Sequence, residues 1–171
     1  MPGYGLDDPK YKFTPLTLEW VGERMATARN YWIGTSRRDG RPHAAPVWGV
    51  WMDERLLFST GAPSQKARNI ARSAEVIAHL ESGDDVVIIE GHAVVVTDAG
   101  ARSRFDADYK KKYDFDPGAA ADPTSLVYRV EPRTILAWRE KDFPGTASRW
   151  RFGQSLPPEG GGPGARSRAR G

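Results

Sequence analysis

Residues 31–72, YWIGTSRRDGRPHAAPVWGVWMDERLLFSTGAPSQKARNIAR, decide how the rest of the chain is read. Asp39-Gly40 is a strong hairpin signal, because glycine accepts positive φ without steric cost and aspartate tolerates it. Residues 31–35 are therefore predicted to pair with residues 43–51. In that second strand His43, Ala45, Val47, Gly49 and Trp51 alternate with Ala44, Pro46, Trp48, Val50 and Met52, so both faces are largely apolar. One face suits a barrel interior, and the other suits a flat ligand or a second subunit. Pro46 cannot donate to a ladder, and a strand glycine such as Gly49 marks the close approach of a ligand or another backbone. Both place the strand at a sheet edge. A bulged edge strand without a ligand fits these two residues as well, and the residues alone leave both readings open.

A third strand, 56–60, ends in Phe-Ser-Thr-Gly, and residues 64–72 open a helix with Ser64 as N-cap. Helix N-termini carry unpaired N–H groups and partial positive charge, which suits a phosphate. Lys66 and Arg68 add full charges, Ser59, Thr60 and Ser64 add hydroxyls, and Asn69 adds an amide donor. Residues 61–72 hold no acid and carry a net +3. A solvated basic helix face is the plain alternative. The coincidence of strand end, glycine, cap hydroxyl and two cations favours an anion site. The pattern GxxxxGK[ST] is missing, so nucleoside triphosphate hydrolysis is not implied.

The runs WIGTSRRDGRPHAAPVWGVW and LLFSTGAPSQKARNIARSAEVIAHLESGDDVVIIEGHAVVV resemble the pyridoxamine 5'-phosphate oxidase-like split β-barrel proteins. Within these, the chain is most similar to the flavin/deazaflavin oxidoreductases of actinobacterial type. The resemblance spans about residues 32–138, and Ser64-x-Lys66-x-Arg68-Asn69 is its most specific part. It implies a mainly β (α+β) fold: a six-stranded antiparallel split β-barrel with a few flanking helices, paired as a homodimer with cofactor sites at the subunit interface. It implies phosphate anchoring by Ser59, Thr60, Lys66, Arg68 and Asn69, beside the Ser64 cap, and ring contact by Pro46, Val47 and Trp48. The implied activity is that of a reductase passing hydride from reduced deazaflavin F420 to an unsaturated or conjugated organic substrate. FMN is the alternative cofactor, and a non-catalytic flavin, deazaflavin or haem binder is the competing class. Arg37, Arg38, Arg41 and Lys110 to Lys112 offer cations to the acidic tail of F420. Pyridoxamine 5'-phosphate oxidation itself is disfavoured, because the chain does not match that enzyme's substrate-binding C-terminal pattern.

A chain of 171 residues is expected to form one domain, here 15–156, with an N-terminal arm at 1–14 and a basic Gly/Pro/Arg tail at 157–171. That tail supplies +2 of the net charge of +3 and has the composition of a disordered segment. Apolar spacing predicts a helix over 17–30, capped by Thr17, and a second over 98–113. Strands are expected at 76–80 and 86–97, around a turn at 82–85, with Gly91 as a bulge. A polar loop at 114–123 has the length of a lid or dimer contact, and two strands follow at 126–130 and 134–138. Residues 137–152 also resemble the closing motif of some family branches, which would set Trp138 and Arg149 on the substrate side.

The sequence excludes several classes. With no cysteine there is no disulfide, thiol catalysis or thiolate metal site. No 18-residue apolar run predicts a membrane span. Residues 1–13 show no hydrophobic leader, so the cytoplasm is the expected location. His43, His79 and His92 are widely spaced and form no metal motif. His43 is the titratable group nearest the ring strand, with a hydrogen-bonded strand histidine as its plainer role. No catalytic residue is assigned, as expected where a cofactor carries the chemistry. Basic residues form no stripe interleaved with aromatics, so nucleic acid is not an expected partner.

Overall fold

Residues 12–116 and 124–153 are described in a computed structural model of the chain. Residues 1–11 of the arm, 117–123 of the polar loop and the whole 157–171 tail lie outside the described residues. Eight strands form one antiparallel sheet: β1 (Tyr31–Ser36), β2 (Pro42–Val47), β3 (Gly49–Met52), β4 (Arg55–Gly61), β5 (Glu75–Leu80), β6 (Asp85–Val95), β7 (Ser125–Arg139) and β8 (Ser148–Arg151). Their order is β2-β1-β5-β6-β7-β4-β3, with β8 on β7. The helices are α1 (Leu18–Thr27), α2 (Gln65–Arg72) and α3 (Ala99–Tyr113). This is the mainly β, curled split barrel that the sequence led us to expect. None of the described helices is long and apolar enough to cross a membrane.

Period-two alternation builds the barrel. Tyr31, Ile33, Leu56, Phe58, Ile89 and Val130 are all at most 1 % exposed and point inward. Val21 and Met25, four apart on α1, close one end of that core. A second cluster lies outside the barrel wall, where Phe105, Tyr109 and Tyr113 of α3 pack on Val50, Leu57 and Val127. The caps predicted at Thr17 and Ser64 hold: Thr17 Oγ1 accepts from Trp20 N at 3.1 Å and Ser64 Oγ from Ala67 N at 3.1 Å. Asp98, not singled out as a cap, caps α3 the same way, its Oδ1 accepting from Ala101 N at 2.7 Å. Gly40 has φ +81°, as the Asp-Gly turn requires.

The resemblance implied six strands and the sequence segments themselves marked seven; the described residues form eight, and three differences account for the step from those seven segments. The predicted strand over 43–51 is divided: β2 pairs with β1 and β3 with β4, although the side chains keep alternating inward and outward across Trp48. The two strands expected at 126–130 and 134–138 are one strand, β7, fifteen residues long. Pro132 does not break it, because it lies opposite the register shift at Glu90/Gly91, where β7 changes its second neighbour from β4 to β8. Residues 148–151, expected as part of a closing motif, form β8 and pair with Thr134 to Ala137.

Gly91 is the residue that this crossing needs. A Cβ there would lie 2.0 Å from the Glu131 carbonyl oxygen, a backbone atom that cannot swing aside. Gly91→Ala is expected to cost roughly 2 to 3 kcal/mol through overpacking. Gly22, inside α1, has ordinary contact space, with Trp51 Nε1 at 3.5 Å from its virtual Cβ. Gly22→Ala is expected to gain roughly 0.5 to 1 kcal/mol of helix propensity. Urea denaturation of the two variants should move the midpoint in opposite directions.

Candidate functional site

The end of β4 and the start of α2 bring part of the predicted set together. Thr60 Oγ1 donates to Ser64 Oγ at 3.1 Å, and Lys66 Nζ donates to Thr60 Oγ1 at 3.2 Å. Lys66 is half-buried with no carboxylate partner among the described residues, and burial lowers its pKa from the ordinary value. A cation with that surrounding has unspent hydrogen-bonding capacity toward an anion. Asn69 is 3 % exposed; its Nδ2 donates to Thr35 Oγ1 at 2.9 Å, and its Oδ1 accepts from Gln65 Nε2 at 2.8 Å. It therefore fixes α2 to β1, and Gln65 emerges as a member of the network that the sequence did not single out.

The other predicted residues stand apart from that cluster. Arg68 is exposed and turns back on its own helix, donating to the Pro63 carbonyl at 2.6 Å and to Gln65 Oε1 at 3.2 Å. Ser59 faces the opposite side of the strand from Thr60. Pro46 is exposed on the edge strand β2, and Val47 is buried in the barrel core. Trp48 stacks on Tyr113 with centroids 4.6 Å apart, and the Arg29 guanidinium lies 5.5 Å from the Trp48 ring. His43 is half-buried with Nδ1 3.5 Å from Thr35 Oγ1. Trp138 meets Phe143 edge-on at 6.0 Å, whereas Arg149 is exposed on β8.

The hairpin arginines lie beside α2. Arg72, at the end of that helix, donates to the carbonyls of Ser36 and Arg37 and so holds the β1–β2 turn against it. Arg37, Arg38 and Arg41 border an open depression of about 540 Å³ together with Gln65 at the helix start. Arg41 pairs with Asp39 at 2.8 Å; Arg37 and Arg38 have no carboxylate partner among the described residues. A second arrangement runs along the outer surface of the sheet. Cross-strand register aligns Pro46, Trp32, His79, Ile88, Leu136 and Arg149 in one row, with Trp32 and His79 stacked. Helix α3 covers a different stretch, over Val50, Leu57 and Val127.

The three lysines of α3 do not act as one cluster. Lys110 pairs with Asp116 at 2.7 Å, while Lys112 turns inward and donates to Tyr31 Oη at 2.7 Å and to the Gly49 carbonyl at 3.1 Å. Burial without an acidic partner lowers the Lys112 pKa to about 8. Between that value and the ordinary 10.5 the unfolded chain binds the extra proton, so this group makes stability rise with pH. Above pH 10 the tyrosines oppose it, since burial raises Tyr31 and pushes Tyr109 up to about 12. Lys112→Met is expected to flatten the rise between pH 8 and 9.5, as read from urea midpoints of both proteins across that range.

No curated protein matches this chain. Solved structures do. The conserved hypothetical protein Rv2991 from Mycobacterium tuberculosis superposes with a TM-score of 0.67 at 23% identity, over 77% of this chain and 89% of that one. A heme binding protein from Mycobacterium smegmatis gives a TM-score of 0.67 at 13% identity, over 81% of this chain and 59% of that one. A structure described as an F420 reductase gives 0.52 at 23% identity, over 66% of this chain and 94% of that one. At these identities the likeness establishes the fold. The family model for pyridoxamine 5'-phosphate oxidase matches residues 21–139, from within α1 to the last residue of β7, and this chain therefore belongs to the pyridoxamine 5'-phosphate oxidase family.

Proposed function

We propose that this chain is a reductase that holds deazaflavin F420 and serves an unsaturated or conjugated organic substrate. The observation that carries the reading is the cluster at the head of α2, where Thr60, Ser64 and the half-buried Lys66 meet without a neutralising carboxylate among the described residues. Anions bind such a head through helix N–H groups, hydroxyl donors and a cation in a partly desolvated place. Lys66 and Thr60 would hold the cofactor phosphate, with Asn69 keeping α2 seated on β1. The exposed edge of β2 at Pro46 would carry the ring, with Trp48 braced behind it by Tyr113. Reduced deazaflavin supplies the hydride when bound; the protein supplies binding, orientation and exclusion of water.

The depression bordered by Arg37, Arg38 and the Arg41–Asp39 pair favours F420 over FMN, because an acidic tail leaving the α2 phosphate site finds Arg37 and Arg38, unpaired among the described residues, directly beside it. Two structural neighbours, one described as an F420 reductase and the other as heme binding, indicate the range of ligands that the fold accommodates. A homodimer completes the proposal. The row from Pro46 through Trp32, Ile88 and Leu136 is an apolar outer surface of the kind a second subunit covers, and it begins at the proposed ring strand.

The purified protein should bind F420 when titrated against ring fluorescence, with FMN binding more weakly. Lys66→Ala is expected to weaken cofactor binding roughly tenfold or more, the loss of one charge-assisted hydrogen bond. Unchanged affinity in that variant would remove the anion site from α2. Reduced cofactor on the protein should be reoxidised by enones or quinones; a holoprotein inert to a broad panel would be a carrier instead. Ile88→Asp places a charge in the apolar row and should shift the light-scattering mass from dimer to monomer.

A further inference from the structure

β4 joins two different environments. Its last residue, Gly61, leads into the head of α2, while its first, Arg55, borders a separate cleft of about 290 Å³ at the other end of the barrel. A seven-residue strand sets the two about 20 Å apart. The cleft lies between α1, the β3–β4 turn, β7 and Phe152. Its apolar walls come from Val21, Trp51, Ile135 and Phe152, and Gly22 keeps it open. A Cβ on Gly22 would touch Trp51 Nε1 at 3.5 Å, so a longer side chain there would fill the space.

The charge at the cleft is one-sided. Glu19, on the first turn of α1, and Glu54, in the β3–β4 turn, both line it and are both exposed. Neither has a cation partner among the described residues. The cation that also lines the cleft, Arg55, is already engaged by Glu131 at 2.9 Å, a carboxylate that Arg129 holds as well at 2.5 Å. The turn itself is unusual. Asp53 and Glu54 have φ of +51° and +59°, a backbone region that suits Gly or Asn and costs a larger side chain energy. Asp53 is compensated by Arg104 at 2.6 Å; the Glu54 carbonyl accepts from Arg55 at 3.0 Å, but its carboxylate has no ion pair among the described residues.

We infer that this cleft binds a small organic cation, a primary ammonium on an apolar body. The body packs against Ile135, Phe152 and the Trp51 ring, and the ammonium lies toward Glu19 and Glu54. Apolar walls with a few convergent charges are the general form of a small-molecule site, and the aromatic face of Trp51 also attracts a cation. Two carboxylates without an ion pair among the described residues select against an anionic ligand of the same shape. The site is independent of the α2 anion site in position and in charge.

Calorimetric titration of the full chain with 4-phenylbutylamine, 4-phenylbutanol and 4-phenylbutyrate tests this. The amine should bind one per chain, about fivefold tighter than the neutral alcohol, and the carboxylate weakest of all. The paired substitution Glu19→Gln and Glu54→Gln, on exposed side chains, should bring the amine down to the level of the alcohol. Gly22→Leu should abolish binding of all three while cofactor affinity stays unchanged. If Gly22→Leu lowers the melting temperature, the glutamine pair carries the test alone. No amine binding, equal affinity for the three probes, or an amine affinity indifferent to the glutamine pair would each overturn the assignment.

Discussion

The barrel depends on one strand satisfying its backbone groups with three different neighbours. β7 pairs with β6 along its length, with β4 through Val130 and with β8 from Thr134. Every buried N–H and C=O must find a partner, so a change of neighbour has to be made where a missing donor and a missing side chain coincide. Pro132 supplies the first and Gly91, directly across, supplies the second. The sheet can then curl: one half of β7 belongs to the wall that carries α3, and the other half continues the outer row of Leu136 and Arg149.

That curl places the two ends of the barrel under different chemistry. One end is closed by α2, which brings hydroxyls and cations and lacks acids between Gly61 and Arg72. The other end is bordered by α1 and by a turn that presents carboxylates. Sequence order explains the separation, because β4 runs between them and its alternating residues fill the core on one side and the α3 cluster on the other.

Local signals in the sequence were legible because their physics is local. The Asp39-Gly40 turn, the Ser64 and Thr17 caps and the Gly91 bulge depend on steric freedom or on a hydroxyl three residues from an amide. Pairing partners were less legible. The division of β2 from β3 leaves the side-chain alternation intact, so no change of period marks it. Pro132 reads as a strand break until its neighbour is known, and β8 is too short and polar to announce itself. The candidate site was half legible. The sequence grouped Thr60, Ser64 and Lys66, which the fold does bring together, yet could not tell that Arg68 folds back on Pro63, that Lys112 turns inward, or that the hairpin arginines border one depression with Gln65. The last two depend on how distant parts of the chain fold together.

Helix α2 is fastened at its head through Ser64 and Thr60, at its middle through Asn69 and Thr35, and at its tail through Arg72 and the carbonyls of Ser36 and Arg37. Three anchors along eight residues oppose rolling or sliding of the helix over the sheet. Its amides are thus aimed before any guest arrives. The ordering entropy is settled during folding, and a ligand meeting that helix loses mainly its own freedom.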